Sequence, residues 1–249
     1  MTTGEQQGPW LRRARPLLGT LVEIAVPRGS PEAALQAAFA AVERVQSRMS
    51  RFEPDSDVAR FAALPAGACM EVAPETADVL RAAAALQTAS AGLFDITQGR
   101  APDGWHCEGL VLNKRAAAAA FDLGGIAKGY AVDCAVQALR RAGCAAGWVN
   151  AGGDLRVVGE LRLPVWLRDE VGSALHPFGQ LSDGAFATSR FGSGCRSQAW
   201  MEGGRGVSAH VSVAAPQCLW ADALTKVVAA SGDARHPLLQ AYAAQAWLH

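Results

Sequence analysis

The segment that most constrains the fold is 121–133, Phe-Asp-Leu-Gly-Gly-Ile-Ala-Lys-Gly-Tyr-Ala-Val-Asp. Two adjacent glycines and Lys128 interrupt an apolar stretch, which predicts a strand, a tight turn and the start of a helix. Glycines let backbone N–H groups approach an anion, the amino end of a helix adds a positive dipole, and the lysine adds a full charge. The spacing matches neither the dinucleotide fingerprint nor the Walker loop. Two interpretations therefore stay open, a phosphate site and an ordinary glycine-rich turn.

Lysine usage bears on this choice. The chain has 23 basic residues, but only Lys114, Lys128 and Lys226 are lysines. A compositional preference for arginine, with random exceptions, would explain this distribution. The alternative is that Lys128 and Lys226 stand where a compact ammonium is required, since the planar guanidinium of arginine cannot imitate it.

The overall composition is that of a globular chain that can bury a full core, because half of its 249 residues are apolar. The 23 basic and 23 acidic residues balance, so we expect no general attraction to nucleic acid or to an anionic membrane. We expect no secretion signal and no membrane insertion, and the cytoplasm as the compartment. Six cysteines without a C-x-x-C pair indicate small buried side chains rather than a zinc site.

Strands that follow strands, with helices in separate blocks, predict an α+β fold rather than a regular doubly wound sheet. We predict a flexible segment over 1–16 and a single catalytic domain over 17–249. The hydrophobic patterns and turn signals predict the following elements. Strands are expected at 17–27, within 109–123, within 145–159 on both sides of a Gly-Gly turn, and at 161–169, 182–190 and 209–216. Helices are expected from Pro31 to Met49, after 53–60, and at 75–91, 127–142, 220–231 and 237–248, with a loop over 191–208.

Four short segments occur in a fixed order along the chain. They are 90–97 (Ser-Ala-Gly-Leu-Phe-Asp-Ile-Thr), 121–133, 149–157 (Val-Asn-Ala-Gly-Gly-Asp-Leu-Arg-Val) and 221–226 (Ala-Asp-Ala-Leu-Thr-Lys). Together with Leu18-Gly19-Thr20, 49–52 (Met-Ser-Arg-Phe) and 56–58 (Ser-Asp-Val), this series resembles the ApbE family of FAD:protein FMN transferases over about residues 17 to 231. The resemblance implies an ApbE-like, T-fold-related α+β architecture of mixed sheet layers flanked by helices.

The resemblance also implies a reaction. Members of the family split FAD and attach its FMN half, through the phosphate, to a threonine or serine hydroxyl of an acceptor protein, with magnesium assisting and AMP leaving. Such a transfer needs the pyrophosphate held and its charge neutralised, which backbone amides at Gly124 and Gly125 and the Lys128 ammonium could do. The FAD-contacting residues implied are Thr20, Asp95, Gly124, Gly125, Lys128, Asn150, Gly152, Gly153 and Asp154. For Asp95, Asn150 and Asp154 the alternative is that the side chain only holds a turn.

The resemblance places the metal on Asp222, on the backbone carbonyl of Gly125 and on a hydroxyl four residues after the aspartate. Here that fourth residue is Lys226, and magnesium does not take an ammonium ligand. The nearby hydroxyl is Thr225, about 100° away around the helix, and it completes the predicted metal set. We hypothesise that Lys226 partly replaces the divalent ion and neutralises the FAD pyrophosphate directly. The alternative is a solvated surface pair between Lys226 and Asp222.

A second departure from the family lies in 198–206, where a histidine and an Asp-Pro pair are usual and this chain has neither. Glu202 could replace the family carboxylate, so the predicted catalytic residues are Lys128, Asp222 and Glu202. His210 could serve as a base, or it could simply open a strand. Two further functions stay open, a protein that binds FAD without transferring FMN and a hydrolase that cleaves the FAD pyrophosphate with water.

Overall fold

The computed structural model describes residues 9–168, 175–191 and 210–249. The strands are β1 (Trp10–Leu17), β2 (Thr20–Pro27), β3 (Cys69–Glu71), β4 (Trp105–Glu108), β5 (Val111–Lys114), β6 (Gly147–Ala151), β7 (Asp154–Val158), β8 (Leu163–Arg168), β9 (Leu175–Leu181), β10 (Ala185–Arg190), β11 (His210–Ala215) and β12 (Gln245–Leu248). The helices are α1 (Glu32–Met49), α2 (Asp57–Ala63), α3 (Pro74–Ala89), α4 (Ala127–Arg141), α5 (Cys218–Ser231) and α6 (Leu238–Ala241). Within these residues no helix is both long enough and apolar enough to cross a membrane. The α+β class predicted from the sequence is confirmed.

The main sheet has seven strands in the order β1-β2-β6-β7-β10-β11-β12, and its neighbours pair antiparallel. Side chains alternate between its two faces. Val22, Ile24 and Val26 of β2 are fully buried in the large core that the sheet forms with the helices. On the opposite face a smaller apolar cluster contains Trp148 and Val157. Two smaller sheets, β3-β5-β4 and β8-β9, complete the strands that the structure describes.

Helix α5 is almost wholly buried against α4, β10 and β11. Every residue from Cys218 to Ala230 except Trp220 is buried, including the polar residues Asp222, Thr225 and Lys226. The helix ends at Gly232, whose φ of 69° is a left-handed conformation that glycine adopts without strain. The charged side chains of α5 are therefore buried as well.

Helices α4 and α5 cross at Gly129. A Cβ added there would lie 2.2 Å from the carbonyl oxygen of Cys218, so a side chain would force the helices apart. The Asp133 carboxylate of α4 accepts hydrogen bonds from the backbone N–H groups of Cys218 (3.0 Å) and Leu219 (2.9 Å), which caps the amino end of α5. Asp133 also pairs with Arg156 of β7. This crossing fixes the first turns of both helices against the sheet.

Two predicted boundaries are wrong near the chain ends. Residues 10–16, which we assigned to a flexible segment, form most of β1 and pair with β2; residues 1–8 lie outside the described residues. The predicted terminal helix 237–248 consists instead of α6 and β12. Ala243 has a positive φ of 48°, which breaks the helical path, and β12 then supplies hydrogen-bond partners to β11 at the edge of the sheet.

Further differences lie inside the chain. Within 109–123 we predicted strand, turn and strand, but β4 and β5 form a hairpin around Gly109, whose φ is 58°, and no strand follows Lys114 before α4. Strand β9 was not predicted, because Pro177 and Gly179 interrupt its pattern. The predicted loop 191–208 lies almost wholly outside the described residues.

Candidate functional site

The β6–β7 turn carries the Gly152-Gly153 pair and lies against Thr20 at the start of β2. A Cβ on Gly152 would lie 2.2 Å from Thr20 Oγ1, and the φ of Gly152 is +62°, so only glycine fits. The Asn150 side chain accepts a hydrogen bond from the Gly153 N–H at 3.1 Å. Asn150 therefore holds the turn, which was one of its two predicted roles.

The glycine–lysine turn is organised by Asp122. Its Oδ1 accepts the Gly124 N–H at 2.8 Å, and its Oδ2 receives Arg51 Nη1 at 3.2 Å and Gln98 Nε2 at 3.0 Å. Gly124 is exposed and Gly125 is buried, and α4 begins two residues later. Because Asp122 takes the Gly124 N–H, that amide does not have the anion-binding role predicted for it, and the turn contributes through the positive end of α4 that follows it.

Asp95 holds a neighbouring loop. Its buried carboxylate accepts the N–H groups of Thr97 (2.7 Å) and Gly99 (2.8 Å), as well as the Thr97 hydroxyl. These bonds fix the position from which Gln98 reaches Asp122. Asp95 therefore holds this turn, which is one of the two roles that the sequence predicted for it.

Lys128, in the first turn of α4, lies between two buried carboxylates. It pairs with Asp154 of β7, and its Nζ is 3.8 Å from Asp222 Oδ2 of α5. The Lys128 side chain is 29% exposed, whereas those of Asp154 and Asp222 are 1% and 0% exposed. The Oδ1 atom of Asp154 has no hydrogen-bond partner among the described residues. Lys128 is thus the accessible cation of a largely buried cluster.

Lys226 completes this cluster from inside. Its Nζ pairs with Asp222 Oδ1 and lies 3.1 Å from both the Asp222 carbonyl oxygen and Ser189 Oγ, and the side chain is only 3% exposed. A solvated surface pair is therefore excluded. An ammonium has three N–H donors, and these three acceptors use all of them. The hypothesis of direct contact between Lys226 and a pyrophosphate is also wrong.

Thr225 was predicted to supply a metal-binding hydroxyl. Its Oγ1 lies 2.7 Å from the Asp222 carbonyl oxygen and 3.0 Å from Ser189 Oγ. The hydroxyl therefore contacts the helix backbone and Ser189, while Lys226 takes the place beside the Asp222 carboxylate. The assignment of Thr225 to the metal set is corrected accordingly.

The charges set the protonation of the two carboxyl groups. Burial raises the pKa of Asp154 to about 6, and the nearby charge of Asp222 acts in the same direction, against the attraction of Lys128. Burial would also raise the pKa of Asp222, but Lys128 and Lys226 outweigh it and lower that pKa below its ordinary value. Burial alone would lower the pKa of Lys128, but Asp154 and Asp222 raise it above its usual range. Asp222 is therefore ionised and Lys128 protonated at neutral pH.

The donor set around Asp222 does not fit magnesium. Mg²⁺ requires oxygen ligands in nearly octahedral geometry. Asp222 Oδ1 is paired with Lys226, while Oδ2 accepts the Gly129 N–H at 3.2 Å and faces Lys128. In the described parts of the chain no three His, Cys, Asp or Glu residues are grouped as they would be around a metal ion. Glu202 lies outside the described residues.

Arg51 and Phe52 belong to the 49–52 motif, but the sequence predicted no role for either. Phe52 is 81% exposed, and the Arg51 guanidinium lies 4.9 Å from the centre of its ring. Since Arg51 also pairs with Asp122, this exposed aromatic ring stands next to the glycine–lysine turn. Exposure of a large aromatic side chain cannot be read from the sequence, so no signal there distinguished Phe52 from a core residue.

A cavity of about 1140 Å³ lies on the face of the main sheet opposite the helices. It is lined by residues of the sheet and of the β8–β9 pair, including Trp148, Trp166 and Phe186. His210 lines this cavity, 6.0 Å from His249 between ring centres. Alternation along β11 places His210 on the face opposite its buried neighbour Val211, and therefore away from the Lys128 face.

Comparisons with known proteins agree with the arrangement of the motifs. The model of the ApbE family matches residues 18–110 and 103–246. No curated protein matches the chain. Among solved structures, the flavin transferase ApbE from Vibrio cholerae is 21% identical, with a TM-score of 0.81 and 96% of this chain and 93% of that one covered. The ApbE protein from Thermotoga maritima is 24% identical, with a TM-score of 0.83 and 96% and 94% covered. The apo flavinyl transferase ApbE from Pseudomonas stutzeri is 23% identical, with a TM-score of 0.73 and 88% and 83% covered. The architecture is that of these proteins, and the chain belongs to the ApbE family.

Proposed function

We propose that this chain is a flavin transferase whose substrate is FAD and whose acceptor is a threonine or serine hydroxyl of another protein. In the reaction the hydroxyl oxygen attacks the phosphorus of the FMN half and the hydroxyl proton passes to a base. The bond from that phosphorus to the bridging oxygen breaks, and AMP leaves with the bridging oxygen. The observation that carries the proposal is Lys128, a partly exposed ammonium held at the amino end of α4 by buried carboxylates.

Lys128 and the turn before it suit a pyrophosphate. Negative charge develops on phosphoryl oxygens during transfer, and fixed positive groups stabilise it without reorganising. The pairs with Asp154 and Asp222 hold the ammonium in place before a ligand arrives. The amino end of α4 adds its positive dipole on the same side.

Phe52 suits the ring system of the same ligand. An exposed aromatic face beside an anion site can stack on a flavin or an adenine, as aromatic side chains stack on bases. Arg51 lies over that ring and pairs with Asp122, so the aromatic and the anion-binding parts are linked. A dinucleotide that carries both rings and phosphates matches this pair of features.

The fold neighbours named as flavin transferases support transfer as the chemistry. One observation favours a second candidate, a protein that binds FAD without transferring FMN: the cations at Asp222 are lysines, where the family resemblance implies a metal. FAD hydrolysis would use the same site with water as the acceptor.

The test is to incubate the purified chain with FAD and candidate acceptor proteins, then to measure AMP and the masses of all proteins. An FMN adduct on an acceptor together with AMP supports transfer. AMP with free FMN indicates hydrolysis, and bound FAD that stays intact indicates a binding protein. Either of the last two results overturns the proposal.

A further inference from the structure

The cluster at Asp222 contains two cations and two carboxyl groups in contact or nearly so. Lys128 and Lys226 face Asp154 and Asp222, so the four charged groups sum to zero. A divalent ion placed on Asp222 would leave this buried set with an excess of positive charge, which is unfavourable in a medium of low dielectric constant. Such an ion would therefore have to displace one of the lysines.

Lys226 is the lysine that cannot easily leave. Its side chain is 3% exposed, and Ser189 and both the carboxylate and the carbonyl of Asp222 accept its three N–H groups. The residues that follow it on α5, from Val227 to Ala230, are apolar and buried, so the ammonium is enclosed in the core. Removing one partner of a buried ion pair leaves an uncompensated charge in the core, which is strongly destabilising.

We infer that Lys226 is a built-in cation that closes the Asp222 site to divalent metal ions. The role of Asp222 is then to position groups rather than to bind a metal. Its Oδ1 holds Lys226, while its Oδ2 holds the Gly129 N–H and lies 3.8 Å from Lys128. The inference concerns the cation site alone and does not rest on the proposed reaction.

The probe is Mn²⁺, whose free and bound forms are distinguished by electron paramagnetic resonance. We expect the unmodified protein to have no Mn²⁺ site at Asp222. Its Mn²⁺ binding should therefore not change in the Asp222→Asn variant. Lys226→Thr frees the carboxylate and adds a hydroxyl, so we expect it to bind Mn²⁺ at least about tenfold more tightly than the unmodified protein. Adding Asp222→Asn to Lys226→Thr should abolish that gain, and circular dichroism should show that each variant is folded.

A site in the unmodified protein that Asp222→Asn removes would overturn the inference, and this result does not depend on whether any Lys226 variant folds. A folded Lys226→Thr variant that binds no more Mn²⁺ than the unmodified protein would overturn it too. Neither measurement involves FAD, so failure here is separate from failure of the proposed transfer.

Discussion

Replacing Lys128 with methionine removes the accessible cation of the site. A charge-assisted hydrogen bond contributes about 1.5–3 kcal/mol, so FAD affinity should fall by about 10- to 150-fold. The same change leaves Asp154 buried, with its Oδ1 already without a partner among the described residues. An unpaired buried carboxylate destabilises a fold by about 3–5 kcal/mol, unless it takes up a proton. Weak binding by this variant could therefore reflect a damaged fold.

The double variant Lys128→Met/Asp154→Asn separates the two effects. It removes both charges, so most of the lost unfolding free energy should return while FAD affinity stays low. Lys114→Met is the matched control, because the Lys114 Nζ donates to the carbonyls of Phe61 (3.2 Å) and Ala62 (2.8 Å), outside the site. It should lower stability and leave FAD affinity unchanged. FAD affinity comes from isothermal titration calorimetry and stability from urea unfolding; a double variant that binds FAD as tightly as the unmodified protein would refute the role of Lys128.

Three further predictions concern stability, pH and ring stacking. Gly129→Ala places a Cβ 2.2 Å from the Cys218 carbonyl oxygen and should lower the free energy of unfolding by about 1–3 kcal/mol or more. The control is Gly179→Ala, whose Cβ would have no neighbour within 4 Å and should change that free energy little. Urea titrations measure both variants. Because the pKa of Asp154 is raised from 3.8 to about 6, the folded chain holds a proton that the unfolded chain has lost in that range. The free energy of unfolding should therefore fall as the pH rises from 3.8 to about 6. Asp154→Asn should make this dependence on pH less steep, and an equally steep dependence in both proteins would contradict the prediction. Phe52→Ala should weaken FAD binding by about 1–3 kcal/mol in calorimetry without a change in melting temperature, because the ring is 81% exposed; unchanged affinity would remove Phe52 from the site.

The sequence was most informative where local chemistry decides the structure. The glycine–lysine segment predicted a turn and a helix from residue 127, and α4 begins there because two glycines and helical spacing act within a few residues. The four-residue spacing also predicted that Lys226 would lie beside Asp222, as it does.

Burial and long-range pairing could not be predicted in the same way. Whether the Lys226 pair lies in water or in the core depends on what packs around α5, and those residues come from β10, β11 and α4. The terminal segment 237–248 was predicted to be a helix, but pairing with β11 decides the conformation of 245–248. The role of Asp122 as the centre of the glycine–lysine turn likewise depends on Arg51 and Gln98, which are far away in sequence.

The central claim is that Lys128 and its turn hold the FAD pyrophosphate during transfer of FMN. The most direct test is mass spectrometry of candidate acceptor proteins after incubation with FAD, using the unmodified chain and the Lys128→Met/Asp154→Asn variant in parallel. We predict an FMN adduct on a threonine or serine, with an equal amount of AMP, for the unmodified chain and a strongly reduced amount for the variant. Equal adduct formation by both proteins would contradict the claim, as would FAD that the unmodified chain binds and leaves intact with every acceptor.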